Sequence, residues 1–159
     1  MAPEVLEGVI TFEKDSFTRV DMYACGLVLW ELTSRLKENF EMENNSEESS
    51  TAVEEYKLPY EAEIPNNPTL GKVNMYLYSV IIILSNDNSK LLLFIDQMKK
   101  LVADDKVRPQ LKTGTFCWKS QPRMNVLCEI ITDLWDHEEK ARISAACVEE
   151  RIFKIQDDE

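Results

Sequence analysis

The chain has 159 residues, with 29 acidic and 18 basic side chains and a formal net charge of -11. This length suits one ordinary domain or a large part of one. Apolar residues make up 44% of the chain and charged residues 30%, so it can build a core and solvate its surface. Wholesale disorder and collagen-like sequences are thereby excluded. Four glycines and six prolines are too few for an all-β fold with many tight turns.

The acidic balance argues against a nucleic-acid partner, because backbone binding needs a basic stripe and no run of lysine or arginine occurs. The cysteines are widely spaced, and the single histidine, His137, cannot complete a usual zinc set near them. We therefore predict no metal site and reduced thiols, which lie at Cys25, Cys117, Cys128 and Cys147. No signal peptide is expected, since Pro3, Glu4 and Glu7 stand where a basic region and an apolar run would be needed.

The first predicted element is a helix over residues 21–36, almost uninterruptedly apolar from Met22 to Leu32. Asp21 is its expected N-cap, and Arg35 lies near its far end. A helix that is apolar on every face is expected at the centre of a core. At about sixteen residues it is too short to span a bilayer, which needs roughly 20.

An acidic stretch follows the central helix. Between residues 37 and 63 there are nine acidic residues against Lys37 and Lys57, a local net charge of -7. Residues 39–55 have the composition of an exposed loop, which serves either as a connector or as a docking site for a basic partner. Pro59, Pro65 and Pro68 then favour extended chain.

Two amphipathic helices are predicted towards the end of the chain. Apolar residues recur at helical spacing from Met124 to Trp135, and again after Ser144 at Val148, Ile152 and Ile155. Strand signals are weak outside residues 73–84. The fold class predicted from these patterns is mostly α, arranged around one central apolar helix.

Several motifs give the chain a family resemblance. Residues 2–4 read A-P-E, the tripeptide that closes the activation segment of protein kinases. At kinase spacing follow DMYACGLVLWEL from Asp21, then Arg108 and Pro109, then LWDHEEKARISA from Leu134. Together they resemble the C-terminal part of the kinase domain in the receptor serine/threonine kinases of the TGF-β superfamily, most closely the activin receptor type II branch. The resemblance covers nearly all of the chain apart from about residues 39–52 and 72–95.

The resemblance implies structural rather than catalytic roles for the matching residues. Glu4 would pair with Arg142, which would tie the end of the activation segment to the base of the lobe. Asp21 would accept hydrogen bonds from the catalytic loop in a longer receptor. Trp30 and Trp135 are expected as core anchors, and His137 as a loop or helix-end residue. The full set of structural motif residues is Ala2, Pro3, Glu4, Asp21, Gly26, Trp30, Arg108, Trp135 and Arg142.

The resemblance also implies a fold and an activity for the longer protein. The chain would be the C-terminal helical part of a kinase large lobe, in a parent fold that is α+β. That parent would use ATP and Mg²⁺ or Mn²⁺ to phosphorylate a type I receptor in response to an activin- or BMP-like ligand, on the cytoplasmic side of a single-pass membrane protein. The family's glycine-rich loop, strand lysine, H-R-D loop and D-F-G motif are not in this sequence, so we assign it no catalytic, cofactor-binding or metal residue and expect it to be inactive alone. The rival hypotheses are a non-enzymatic interaction module that keeps only the helical lobe, and an unrelated acidic helical protein with chance matches.

Residues 72–95 carry a separate prediction. The stretch has no Ala, Gly, Pro, Arg or Glu and is built almost wholly from residues with A/T-rich codons. Codons 71–72 can encode a splice donor, and codons 95–96 can encode an acceptor. Removing the bases from the second position of codon 71 through the first position of codon 96 keeps the reading frame and joins the two ends as one Asp codon. We therefore predict a translated intron here. Its removal would make Thr69 an N-cap with Gln97 three residues on, and would place Leu70, Met98, Leu101 and Val102 on one helix face. The alternative is a family-specific apolar insertion.

Overall fold

The computed structural model describes residues 1–34, 59–60, 63, 88–111 and 122–157. The predicted acidic loop 39–55, the stretch 73–84 and Cys117 lie outside these residues. Within the described residues every regular element is helical and no strand occurs. The α helices are α1 (Pro3–Glu7), α2 (Lys14–Ser34), α3 (Asn88–Lys99), α4 (Pro122–Leu134) and α5 (Ala145–Asp157). A π-helical turn, Lys100–Asp104, continues α3, and a 3-10 turn, Glu139–Ala141, precedes α5.

The central helix differs from its prediction in two ways. It begins at Lys14 rather than at Asp21, so Asp21 lies inside the helix and is not an N-cap. The extra turns form because Ser16, Val20 and Tyr23 already stand at helical spacing, with Ser16 and Tyr23 buried.

The second difference concerns burial. The helix was expected to be covered on every side, but α2 has one covered and one open face. Tyr23, Gly26 and Thr33 are buried, whereas Val28 is 56% and Leu32 58% exposed. We call Asp21, Ala24, Val28 and Leu32 the open stripe, because they are exposed and follow one another at intervals of three and four residues.

The covered face of α2 packs along α4, and α4 packs against α5. At the crossing of α2 and α4, a Cβ added to Gly26 would lie 3.1 Å from Cβ of Leu134 and 3.4 Å from Cβ of Trp135. Glycine therefore allows the two helices to approach closely. α1 packs on α3 and its π-helical continuation. The central apolar cluster is made of Ala2, Leu6, Tyr23, Tyr60, Met98, Val102, Ile131 and Trp135.

A helix around Met98 was predicted only for the chain without residues 72–95, so the start of α3 at Asn88 was not predicted. Residues 88–95 belong to the stretch assigned to a translated intron, yet here they form the first two turns of the helix that carries Met98 into the core. No helix of the described residues has both the length and the apolar character that a membrane crossing needs.

Candidate functional site

A buried ion pair joins the two ends of the described chain. Glu4 is 8% exposed and Arg142 is 2% exposed. Nη1 of Arg142 donates to Oε1 of Glu4 at 2.7 Å, and Nη2 donates to Oε2 at 2.8 Å. Two parallel charge-assisted hydrogen bonds of this kind fix the orientation of both side chains. The pair thus attaches α1 to the turn before α5.

The remaining donors of Arg142 reach backbone carbonyls. Nε donates to O of Asp136 at 2.8 Å, and Nη1 donates to O of Arg19 at 3.0 Å. Nη2 also approaches O of His137, at 3.5 Å. In return, Nη1 of Arg19 donates to O of Arg142 at 2.6 Å. The buried guanidinium is therefore hydrogen-bonded to carbonyls from α2 and from the turn after α4, in addition to Glu4, and its charge is compensated.

Two tyrosines form the floor of the site. The ring of Tyr23 lies under Arg142, whose Cζ is 5.0 Å from the ring centroid, and under Arg108, whose Cζ is 5.3 Å from it. The hydroxyl groups of Tyr23 and Tyr60 are hydrogen-bonded at 2.6 Å in the buried interior. Stacking a guanidinium on an aromatic face adds cation–π attraction that strengthens when water is excluded.

Arg108, the second arginine beside Tyr23, also donates to backbone carbonyls. Its Nε donates to O of Trp135 at 3.0 Å, and its Nη1 donates to O of Val102 at 3.0 Å. Arg108 therefore connects the end of α4 to the π-helical turn. Both arginines near the Tyr23 ring are thus held by hydrogen bonds to backbone carbonyls.

The electrostatics follow from this burial. Burial alone would raise the pKa of Glu4, but hydrogen bonds from Arg142 and its positive charge outweigh it, so the pKa of Glu4 lies below its ordinary value of 4.5. Burial raises the pKa of Tyr23 and of Tyr60 above the ordinary value of 10.0. The folded site therefore favours a charged carboxylate and two neutral phenols.

The other motif residues lie around this site. Ala2 is 1% exposed, and Pro3 is fully buried at the start of α1. Trp135 is 4% exposed and belongs to the core cluster. Trp30 packs against that cluster, and its Nε1 donates to O of Gln110 at 2.8 Å.

Asp21 is the motif residue that the structure keeps apart from the site. It lies in the second turn of α2 on the open stripe, and it is exposed. The expected N-cap role is wrong, because the helix has already begun seven residues earlier, at Lys14. A role towards a catalytic loop concerns groups that this chain does not contain.

Sequence reasoning missed Tyr23, Tyr60 and Arg19 as members of the site. Both tyrosines lie inside strings that carry the resemblance, DMYACG and EEYKLPYEAEI, but nothing in their spacing pairs them across 37 positions. Tyr60 also has φ of 70°, an uncommon backbone state that a sequence pattern does not signal.

The charged side chains of the site are bound to one another or to backbone carbonyls, so the site holds α1, α2 and the turn before α5 together. Nδ1 of His137 is buried without a hydrogen-bond partner beside the pair. Among the described residues no group of three His, Cys, Asp or Glu side chains could hold a metal ion. The thiols of Cys25, Cys128 and Cys147 are free.

Comparison with known proteins finds relatives of the chain by sequence. The chain is 41% identical over 156 residues to activin receptor type-2A of Gallus gallus, covering 98% of this chain and 23% of the relative. The chain is homologous to part of the activin type-2 receptors. Identity is 38% to activin receptor type-2B of Xenopus laevis and 39% to the human type-2A receptor, with the same coverage. No protein-family model matches the chain. The chain spans about a quarter of the length of these relatives.

Proposed function

We propose that the chain forms the C-terminal, substrate-side part of the helical lobe of a receptor serine/threonine kinase. The observation that carries the proposal is the buried bidentate pair between Glu4 of the A-P-E tripeptide and Arg142. A pair of this kind between positions 138 residues apart supports a fixed attachment of an activation segment to the base of a lobe. Homology to the activin type-2 receptors supports the same assignment.

In the whole receptor, the proposed activity is transfer of the γ-phosphoryl group of ATP to serine or threonine of a type I receptor. ATP and Mg²⁺ or Mn²⁺ would bind to parts of the kinase domain that this chain does not contain. An extracellular activin- or BMP-like ligand would bring the two receptors together. The described residues would hold the segment on which the substrate rests, on the cytoplasmic side of the membrane.

The open stripe of α2 supports the proposal that other parts of a kinase domain pack against this chain. Asp21, Val28 and Leu32 lie exposed on a helix whose opposite face is closed. Covering a valine or leucine side chain contributes about 1.5 to 3 kcal/mol, so a further layer of the domain could gain stability by packing here. We propose that the upstream part of the kinase domain packs on this stripe.

A chimeric receptor tests the proposal. This chain replaces the matching segment of the Gallus gallus type-2A receptor, and the purified cytoplasmic domain is assayed on a type I receptor domain with ATP and Mg²⁺. We expect phosphorylation, lost with Arg142→Ala and retained with Arg151→Ala. Arg151 is the matched control because its ion pair with Asp133 is only partly buried. A folded chimera without kinase activity would contradict the proposal.

The isolated chain is expected to neither bind ATP nor phosphorylate a substrate. The measurement is titration calorimetry with ATP and Mg²⁺, and saturable, Mg²⁺-dependent binding would contradict this expectation. The alternative function is a non-enzymatic interaction module that retains only the helical lobe. An inactive chimera, together with specific binding of the isolated chain to a type I receptor domain, would favour that alternative.

A further inference from the structure

Three exposed apolar side chains lie on the connection between α1 and α2 and in the first turn of α2. Val9 is 64%, Phe12 is 90% and Phe17 is 47% exposed. The two phenylalanine rings lie together, with centroids 6.3 Å apart and planes inclined by 57°. We call Val9, Phe12 and Phe17 the aromatic patch. A cluster of exposed rings is typical of binding surfaces, where phenylalanine is enriched.

The backbone under the aromatic patch is fixed. Gly8 ends α1 with φ of 74°, and N of Val9 donates to O of Glu4 at 3.0 Å. Further along, the hydroxyls of Thr11 and Ser16 are hydrogen-bonded at 2.5 Å. The connection is hydrogen-bonded at one end to the backbone carbonyl of Glu4 and at the other to Ser16 of α2, so the backbone that carries Phe12 is attached at both ends. A preorganised surface loses less entropy when it binds.

Acidic residues are next to the aromatic patch along the chain. Glu7 at the end of α1, Glu13 on the connection and Asp15 in the first turn of α2 are all exposed. Lys14 is the exposed basic side chain among them. Arg19 is half-buried: its Nη1 donates to O of Arg142, and its Nε lies 3.9 Å from Oδ2 of Asp15, whose charge it partly offsets. The patch is therefore apolar with a net acidic border.

We propose that the aromatic patch is a docking surface for a protein segment that presents apolar side chains between lysines or arginines. Charge complementarity selects this occupant, because basic side chains would pair with Glu7, Glu13 and Asp15 while apolar ones cover Phe12 and Phe17. The acidic border disfavours an anionic lipid surface. It also disfavours the chain's own stretch 37–63, which carries nine acidic residues against two basic ones. The side chains of this surface are not those of the Glu4–Arg142 pair, and the inference does not depend on kinase activity.

Peptide binding to the full chain tests the proposal. The probe is a fluorescein-labelled synthetic peptide of twelve residues with two leucines flanked by lysines, and its twin carries glutamate at every lysine position. We expect the lysine peptide to bind at least about tenfold more tightly than the twin, as judged by fluorescence anisotropy. Phe12→Ser should weaken its binding about tenfold, as loss of a central aromatic anchor does. Phe153→Ser, which changes another phenylalanine that is 56% exposed, is the matched control and should leave the affinity unchanged.

Charge reversal sharpens the test. Glu13→Lys should weaken binding of the lysine peptide about threefold, and Lys14→Glu should strengthen it by a similar factor, with both effects reduced in high salt. Equal effects of Phe12→Ser and Phe153→Ser, equal affinity for the two peptides, or no binding to the unaltered chain would overturn the proposal. The urea midpoint of Phe12→Ser should match that of the unaltered chain. A lower midpoint would mean that the chain itself covers the patch, and would also overturn the proposal.

Discussion

The two faces of α2 differ in how completely they are closed. On the inner face, Tyr23 is 0% exposed under two arginines, and Gly26 lets α4 approach. On the outer face, Val28 and Leu32 are more than half exposed. The same helix is therefore closely packed on one side and has an exposed apolar surface on the other.

This difference teaches which interactions hold the described residues together. The inner face combines apolar contact with a buried charge pair whose donors are bound, so removal of one member leaves a costly group behind. The outer face holds side chains whose burial would add stability only once something covers them. Changes to the inner face should therefore be much more damaging than equivalent changes to the open stripe.

The largest expected effect is that of breaking the buried pair. Arg142→Ala or Glu4→Ala should destabilise a receptor kinase domain that contains this chain by about 3 to 5 kcal/mol, because each leaves an unpaired buried charge. Urea unfolding measures the change. In a double-mutant cycle the two effects should be strongly coupled, and additivity within about 0.5 kcal/mol would mean that the pair does not act as a unit.

The second effect compares the two faces directly. Gly26→Leu should destabilise by about 2 kcal/mol, because overpacking at the crossing with Leu134 outweighs the gain in helix propensity over glycine. Ala24→Leu on the open stripe is the matched control and should change stability by less than about 0.5 kcal/mol. If Gly26→Leu and Ala24→Leu lowered the free energy of unfolding equally, the two faces of α2 would not differ in how tightly they are packed.

The inner face should also give the fold a dependence on pH. Because the pKa of Glu4 is lowered in the folded state, stability should be lost as pH falls below its ordinary value of 4.5, where the unfolded chain takes up the proton first. Glu4→Gln should flatten this acidic limb in urea unfolding at a series of pH values. An unchanged acidic slope in that variant would remove Glu4 as the cause.

At alkaline pH, the stability of the fold should depend on pH in the opposite direction. The pKa values of Tyr23 and Tyr60 are raised, so above their ordinary value of 10.0 the unfolded chain loses protons first and stability should fall as pH rises. Tyr60→Phe should flatten this limb while leaving the acidic one unchanged. A full alkaline loss of stability in Tyr60→Phe would contradict the assignment to the tyrosine pair.

The smallest effect on stability should come from the open stripe. Val28→Ser and Leu32→Ser should each change the free energy of unfolding by less than about 0.5 kcal/mol, as is usual for exposed positions. They should nevertheless reduce binding of a hydrophobic dye, because the stripe is an exposed apolar surface. If the chain melted sharply and cooperatively as a monomer and bound no dye, the open stripe would not be an exposed apolar surface.

Some of this organisation could be predicted from the sequence. The A-P-E tripeptide and Arg142 carry enough family context to imply the pair, and the apolar spacing from Met124 to Trp135 indicated a helix close to the observed Pro122–Leu134. The start of α2 was misplaced because the long apolar run outweighed the weaker pattern of Ser16 and Val20. The two-faced burial of α2 could not be read from its composition, because valine and leucine occur on both sides.

The tyrosine pair was also beyond sequence reasoning. Tyr23 and Tyr60 come together because α2 is long and Tyr60 adopts a positive φ, and neither fact leaves a local signal. The first turns of α3 are a different case. They lie in residues 72–95, whose A/T-rich codons favour a translated intron, so only the later part of the helix, around Met98, was predicted.

The proposal of a translated intron at 72–95 stays a prediction. Its removal would put Thr69 and Leu70 at the helical positions of Phe94 and Ile95, next to Met98, so that α3 could keep an apolar residue in place of Ile95. Sequencing of cDNA across codons 65–110 tests it, and we expect mature transcripts that lack the stretch. Retention in nearly all transcripts, or genomic codons without GT and AG at the two ends, would contradict it.

Hydroxyl-radical footprinting of the isolated chain, read by mass spectrometry, tests the contrast between the two faces most directly. Tyrosine is intrinsically more reactive than leucine, so protection of Tyr23 together with labelling of Leu32 can only reflect burial. We predict rapid labelling at Val28 and Leu32 and strong protection at Tyr23 and Tyr60. Labelling of Tyr23 as fast as that of Leu32 would contradict a helix closed on one side by the Glu4–Arg142 site and open on the other.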